Sequence, residues 1–173
     1  ALDLFAGVGL FSLPLARTFQ RVTAVESNEA AARDLQINLD AAGPDASGQA
    51  VCADVERFTA GASERFDLVV FDPPRAGVPT AALQRIAQLA PQHIIYLSCD
   101  PATLARDLAL LTAANAHASP SPAPPPAFDP TRAPAPPTRS TSPPARYSIT
   151  DLQLFDLFPQ SFHIESLARL SLR

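Results

Sequence analysis

Lysine, methionine and tryptophan are absent from this chain of 173 residues, cysteine occurs twice, and no apolar run is long enough to cross a bilayer. Two cysteines cannot form a disulfide framework, and they cannot complete a zinc or iron-sulfur ligand set, so no metal is expected. There is no signal-peptide pattern either. The expectation is a soluble protein in a reducing compartment, cytoplasmic or organellar, with no membrane partner. All 13 basic residues are arginines and the net charge is -4. That is a poor footprint for tight nucleic-acid binding by these residues alone, since affinity for phosphate backbones is carried by cationic contacts. The chain opens on a strand-like run and contains no methionine, so it reads as a segment of a longer protein.

What is present is 47% apolar, enough for one α/β domain with a real core. Buried strands are expected over 1–5, 21–26, 50–55, 66–72 and 93–98. Helices are expected over 10–19, 28–40 (with Ser27 as cap), 80–90 and 101–114. This alternation calls for a mostly parallel sheet with right-handed crossovers and helices on both faces. Eleven of the 19 prolines fall within 118–146, which reads as a disordered insertion interrupting the domain 1–173. Two last strands over 147–158 and 163–172 form an antiparallel pair that closes one sheet edge.

Four constellations carry chemistry. Cys99 stands where an apolar strand hands over to a helix with Asp100 as N-cap and Pro101 at its first position. The thiol then lies at the positive end of a helix dipole, which favours thiolate, and at the strand end where α/β sheets bind ligands. The alternative is a small buried strand residue, the role assigned to Cys52. The second constellation is Asp3-Leu-Phe-Ala-Gly-Val-Gly, a strand entering a glycine turn. Gly7 and Gly9 allow a tight turn and close approach of a ligand. Glu26 ends the next strand, where a carboxylate can accept ribose hydroxyls, and Asp54 follows the third. Together they read as a nucleoside site of the kind that holds S-adenosyl-L-methionine; turn glycines with solvated carboxylates are the alternative. The third is Asp72-Pro-Pro-Arg-Ala-Gly, whose prolines present Asp72 rigidly at a strand end and place Arg75 to orient a substrate; a stiff solvent loop would look the same. In the fourth, Phe158-Pro-Gln-Ser-Phe-His-Ile-Glu-Ser, Glu165 sits among apolar residues. A carboxylate withdrawn from water is a stronger base, whereas an edge-strand glutamate in water would have no such role. His163 reads as structural.

These four motifs, in this order, resemble the catalytic domain of the RNA uracil-5-methyltransferases, which make 5-methyluridine in tRNA or rRNA. Two positions depart from the family pattern: Ala6, often cysteine there, and Leu10, often asparagine. The resemblance implies a Rossmann-like class I S-adenosylmethionine-dependent methyltransferase fold and an RNA substrate. It also implies an upstream RNA-binding region outside these residues. By the same resemblance Cys99 is the nucleophile, Glu165 the proton acceptor, and Phe5, Glu26 and Asp72 contact the cofactor. A nicotinamide-dependent oxidoreductase and a non-catalytic RNA-binding relic are the competing functions.

Overall fold

In the computed structural model the described residues are 1–43, 46–112, 147–157, 160 and 164–173. Short apolar runs and amphipathic segments alternate as expected. The elements are β1 (Leu2–Leu4), α1 (Ser12–Ala16), β2 (Val22–Glu26), α2 (Glu29–Ala41), β3 (Gly48–Cys52), α3 (Val55–Gly61), β4 (Leu68–Phe71), α4 (Thr80–Leu89), β5 (His93–Ser98), α5 (Pro101–Thr112), β6 (Tyr147–Phe155) and β7 (Glu165–Leu172). The strands form one sheet in the order β3-β2-β1-β4-β5-β7-β6. β1 to β5 are parallel, and β7 runs antiparallel between β5 and β6. Chain order reverses between β1 and β4, so the crevice at the carboxyl ends of these strands is the expected ligand site.

Side chains leave β2 alternately to the two faces. Val22 and Ala24 join a core with Ala16, Leu35 and Leu39 from α1 and α2. Val25 joins the larger core on the opposite face, where Leu83 and Ile86 of α4 and Leu104, Leu108 and Leu111 of α5 pack on Leu2, Leu4 and Phe71. Tyr147 is fully buried at the start of β6, with its hydroxyl donating to the Pro91 carbonyl at 2.9 Å. A side chain of that size buried completely contributes about 2–3 kcal/mol by transfer alone, so it anchors β6 to the sheet.

Several boundaries differ from the sequence expectation. Asn28, not Ser27, caps α2, because its Oδ1 accepts from the Ala31 amide at 3.0 Å. α1 begins at Ser12 rather than residue 10, since the chain is still completing the glycine turn before it. β3 stops at Cys52, and α3 follows where no helix was expected; Asp54 caps it, accepting from the Glu56 and Arg57 amides at 2.8 and 3.4 Å. Cys52 is exposed at the strand end rather than packed in the core. The 118–146 insertion, His163 and the turn between the last two strands, apart from Gln160, lie outside the described residues. Among the described residues no helix is long and apolar enough to cross a membrane, and no cluster of three or more His, Cys, Asp or Glu could hold a metal.

Candidate active site

The loop from β1 to α1 is shaped by backbone conformations that few residues tolerate. Gly7 and Gly9 have φ of 54° and 107°, and Phe5 adopts 61°, a left-handed value costly for an aromatic residue. Around Gly7 no atom lies within 4 Å of where a Cβ would stand, whereas at Gly9 a Cβ would come within 2.8 Å of Leu35 Cδ1. Gly7 therefore faces open space and Gly9 is needed for packing on α2. The loop is tied down by short bonds. Ser12 Oγ donates to Asp3 Oδ2 at 2.5 Å, the Gly9 amide donates to the Ala6 carbonyl at 2.9 Å, and Asn38 Nδ2 donates to the Val8 carbonyl at 2.9 Å.

Glu26, at the end of β2, joins this loop. Its Oε2 accepts from the Gly7 amide at 2.9 Å and its Oε1 from the Asn28 amide at 2.7 Å. Each carboxylate oxygen retains further acceptor capacity, so the side chain is oriented and can still receive two hydroxyls. Asp54 lies one strand farther out, exposed, with Oδ1 committed to capping α3.

The second half of the site is built by β5 and β7. Because they pair antiparallel with Ser98 opposite Ser166, the residues that flank this last pair, Cys99 after Ser98 and Glu165 before Ser166, both lie at the carboxyl edge of β5. They are far apart in the chain, and sheet order alone joins them. Cys99 is half-buried at the apex of a clipped turn: Ser98 Oγ accepts from the Asp100 amide at 3.1 Å and donates to the Asp100 carbonyl at 3.0 Å. Asp100 Oδ1 accepts from the Thr103 amide at 2.8 Å, which confirms the expected N-cap of α5. That bond, with the Thr103 side chain, the Ala102 amide and the Arg75 charge, holds the Asp100 carboxyl below its ordinary range.

Carboxyls converge here. Loss of water around Asp72 and then the like charge of Glu165 push the Asp72 carboxyl above its usual value. Asp3, fully buried in β1, is pushed up to about 6, chiefly by burial and against the Ser12 hydrogen bond, with Asp72 adding to the rise. Asp3, Asp72 and Glu165, from β1, the loop after β4 and β7, are thus linked electrostatically, Asp72 to each of the other two. Asp72 and Glu165, expected from separate motifs, are near enough to repel. Arg75 is exposed beside Asp100.

Sequence reasoning missed Asp3, Ser12 and Asp107. A carboxylate inside a buried apolar strand was the available signal for Asp3, and Arg-Asp on the sheet-facing side of α5 was the signal for Asp107. Ser166 is also buried, and its hydroxyl has no partner among the described residues.

Comparison with known proteins bears on this geometry. The 23S rRNA (uracil(1939)-C(5))-methyltransferase RlmD of Edwardsiella ictaluri is 35% identical over 170 residues, covering 96% of this chain and 31% of that protein. An uncharacterized RNA methyltransferase of Thermotoga maritima is 32% identical over 169 residues, covering 98% of this chain and 31% of its own length. The chain spans about a third of the length of these relatives. The Pyrococcus abyssi tRNA (uracil-54, C5)-methyltransferase, crystallised with S-adenosyl-L-homocysteine, superposes with a TM-score of 0.69 at 27% identity, over 98% of this chain and 33% of that one. Residues 1–119 match the family model of tRNA (uracil-5-)-methyltransferases, and the chain belongs to that family.

Proposed function

We propose that this chain is the catalytic part of an S-adenosyl-L-methionine-dependent enzyme that methylates carbon 5 of a uridine in tRNA or rRNA through a covalent cysteine adduct. The observation that supports the reading is the β5/β7 register, in which Cys99 and Glu165 flank the last pair, Ser98 and Ser166, at the carboxyl edge of β5. An upstream RNA-binding region of the full-length protein would supply phosphate contacts that an acidic chain lacks.

The crevice fits the cofactor. Phe5, Gly7 and Gly9 form a backbone turn that is open at Gly7, Glu26 is oriented to receive ribose hydroxyls, and Asp54 after β3 and Asp72 after β4 lie on either side of it along the sheet edge. When bound, the cofactor supplies an electrophilic methyl group. Carbon 5 of uracil is a poor nucleophile, so the Cys99 thiolate first adds to carbon 6 and makes carbon 5 electron-rich. After methylation Glu165 accepts the proton from carbon 5, and departure of the thiolate restores the base. Asp72 and Arg75, on the loop after β4, orient the base or the cofactor. The base must leave its stack to reach this edge, which favours a splayed loop nucleotide. An oxidoreductase would use the glycine turn yet leave the Cys99–Glu165 pair without a task.

The test is denaturing electrophoresis of the full-length protein with cofactor and substrate RNA, with mass spectrometry of any linked nucleotide. Cys99→Ala should lose both 5-methyluridine formation and any covalent complex. Glu165→Gln should accumulate a methylated adduct, because elimination needs loss of the carbon 5 proton. Normal turnover by Cys99→Ala would refute the mechanism, and absence of any adduct in wild type and Glu165→Gln alike would favour a non-catalytic RNA-binding role.

A further inference from the structure

The loop that carries Asp72 and Arg75 is bolted along α5, the helix that starts beside Cys99. Three side chains of this helix hold three neighbouring backbone groups of the loop. Thr103 Oγ1 donates to the Arg75 carbonyl at 3.0 Å, Arg106 Nη2 donates to the Ala76 carbonyl at 2.9 Å, and Asp107 Oδ2 accepts from the Val78 amide at 3.0 Å. Between them Gly77, at φ 80°, leaves no room for a side chain: a Cβ would fall 2.6 Å from both Arg106 Nη2 and Asp107 Oδ2. The close fit of loop on helix therefore requires glycine there.

Asp107 is the hub of this contact. It is fully buried, and besides Val78 it accepts from Tyr96 Oη at 2.6 Å and from Arg106 Nε at 2.8 Å. Tyr96 in turn packs edge-on against Phe71, the last residue of β4 before Asp72, with ring centroids 4.5 Å apart. Burial and the Asp107 carboxylate both push the Tyr96 phenol above its ordinary range, so it stays a donor. A buried carboxylate is costly unless every acceptor site is used, and an apolar residue would fill the same space without that cost. What the carboxylate adds is direction: it ties β5, α5 and the loop after β4 to one point.

We propose that Asp107 is a positioning residue, which clamps the loop of Asp72 and Arg75 to the helix of Cys99 so that cofactor-side and nucleophile-side groups keep one geometry through turnover. The proposal rests on the methylation reading given above. Small misplacements of reacting groups cost large factors in rate, while binding of a long RNA spread over many contacts is less sensitive. Asp107→Asn keeps the size but replaces one acceptor oxygen by an amide donor, although all three of its partners donate to it.

The experiment has two arms on the full-length protein. In the first, amide hydrogen exchange of Asp107→Asn should rise at least 10-fold at Val78, with the amides of β1 and β2 unchanged. In the second, kcat for 5-methyluridine formation should fall 10- to 100-fold with the KM for RNA changed less than 3-fold. Thr103→Val, at the helix surface, should lower kcat 3- to 10-fold, and the double variant should lose less than the product of the two single losses, since both act through one loop. Unchanged exchange at Val78 overturns the clamp. Raised exchange with wild-type kcat, or fully multiplicative losses, overturns the positioning role. If wild type makes no 5-methyluridine, the proposed function falls and the Val78 amide alone decides the clamp. If Asp107→Asn does not fold, Thr103→Val decides: faster exchange at Gly77 and Val78 with reduced kcat supports the clamp, and wild-type values of both overturn it.

Discussion

Asp3 shows how a single side chain can serve the site at a cost to the fold. Its carboxyl, raised to about 6 by burial, holds more proton in the native state than in the unfolded one between roughly pH 4 and 6. The stability contributed by the protonated form is complete below the unfolded value and is lost as pH rises through about 6. At neutral pH the buried charge therefore weakens the fold by about 2–3 kcal/mol. Asp3→Asn retains an acceptor for Ser12 Oγ and removes the charge, so urea denaturation should show the variant more stable than wild type at pH 7 and nearly equal at pH 4. An advantage that persists undiminished at pH 4 would assign it to packing instead.

The elements were legible where period and cap agreed. β5 and the start of α5 lie at the expected residues because an apolar run, an Asp cap and Pro101 all mark the same junction. α3 was not legible. It is only seven residues long, and reading Asp54 as a ligand contact leaves out that its Oδ1 also caps this helix through the Glu56 and Arg57 amides. α4 ends at Ala90 in a left-handed conformation, φ 51° and ψ 51°, where glycine would be unstrained. Ala90→Gly should accordingly raise stability by about 0.5–1 kcal/mol in thermal denaturation, because relief of native strain exceeds the added freedom of the unfolded chain. A drop in melting temperature would mean that the Ala90 methyl packs more than it strains.

For the molecule as a whole, α5 and β6 are anchored independently of the chain between them, by Leu111 on one side and Tyr147 on the other, both buried. Replacing 118–146 by a short flexible linker should then change stability by about 1 kcal/mol or less, since closure entropy varies slowly with length. A large fall in melting temperature would show that those residues contribute packing of their own. The α/β class, the strand-end acids and the helix cap after Cys99 were determined by the sequence itself, because periodicity, glycine turns and capping chemistry act over a few residues. Which ends meet is a matter of sheet order and register, and these depend on how all seven strands bury their faces together. Only the tertiary structure could decide that β7 inserts antiparallel between β5 and β6 and brings Glu165 to Cys99. Likewise only the fold shows that Asp107, deep in a helix, reaches the loop after β4, since no local pattern encodes a contact between segments that the core alone brings together.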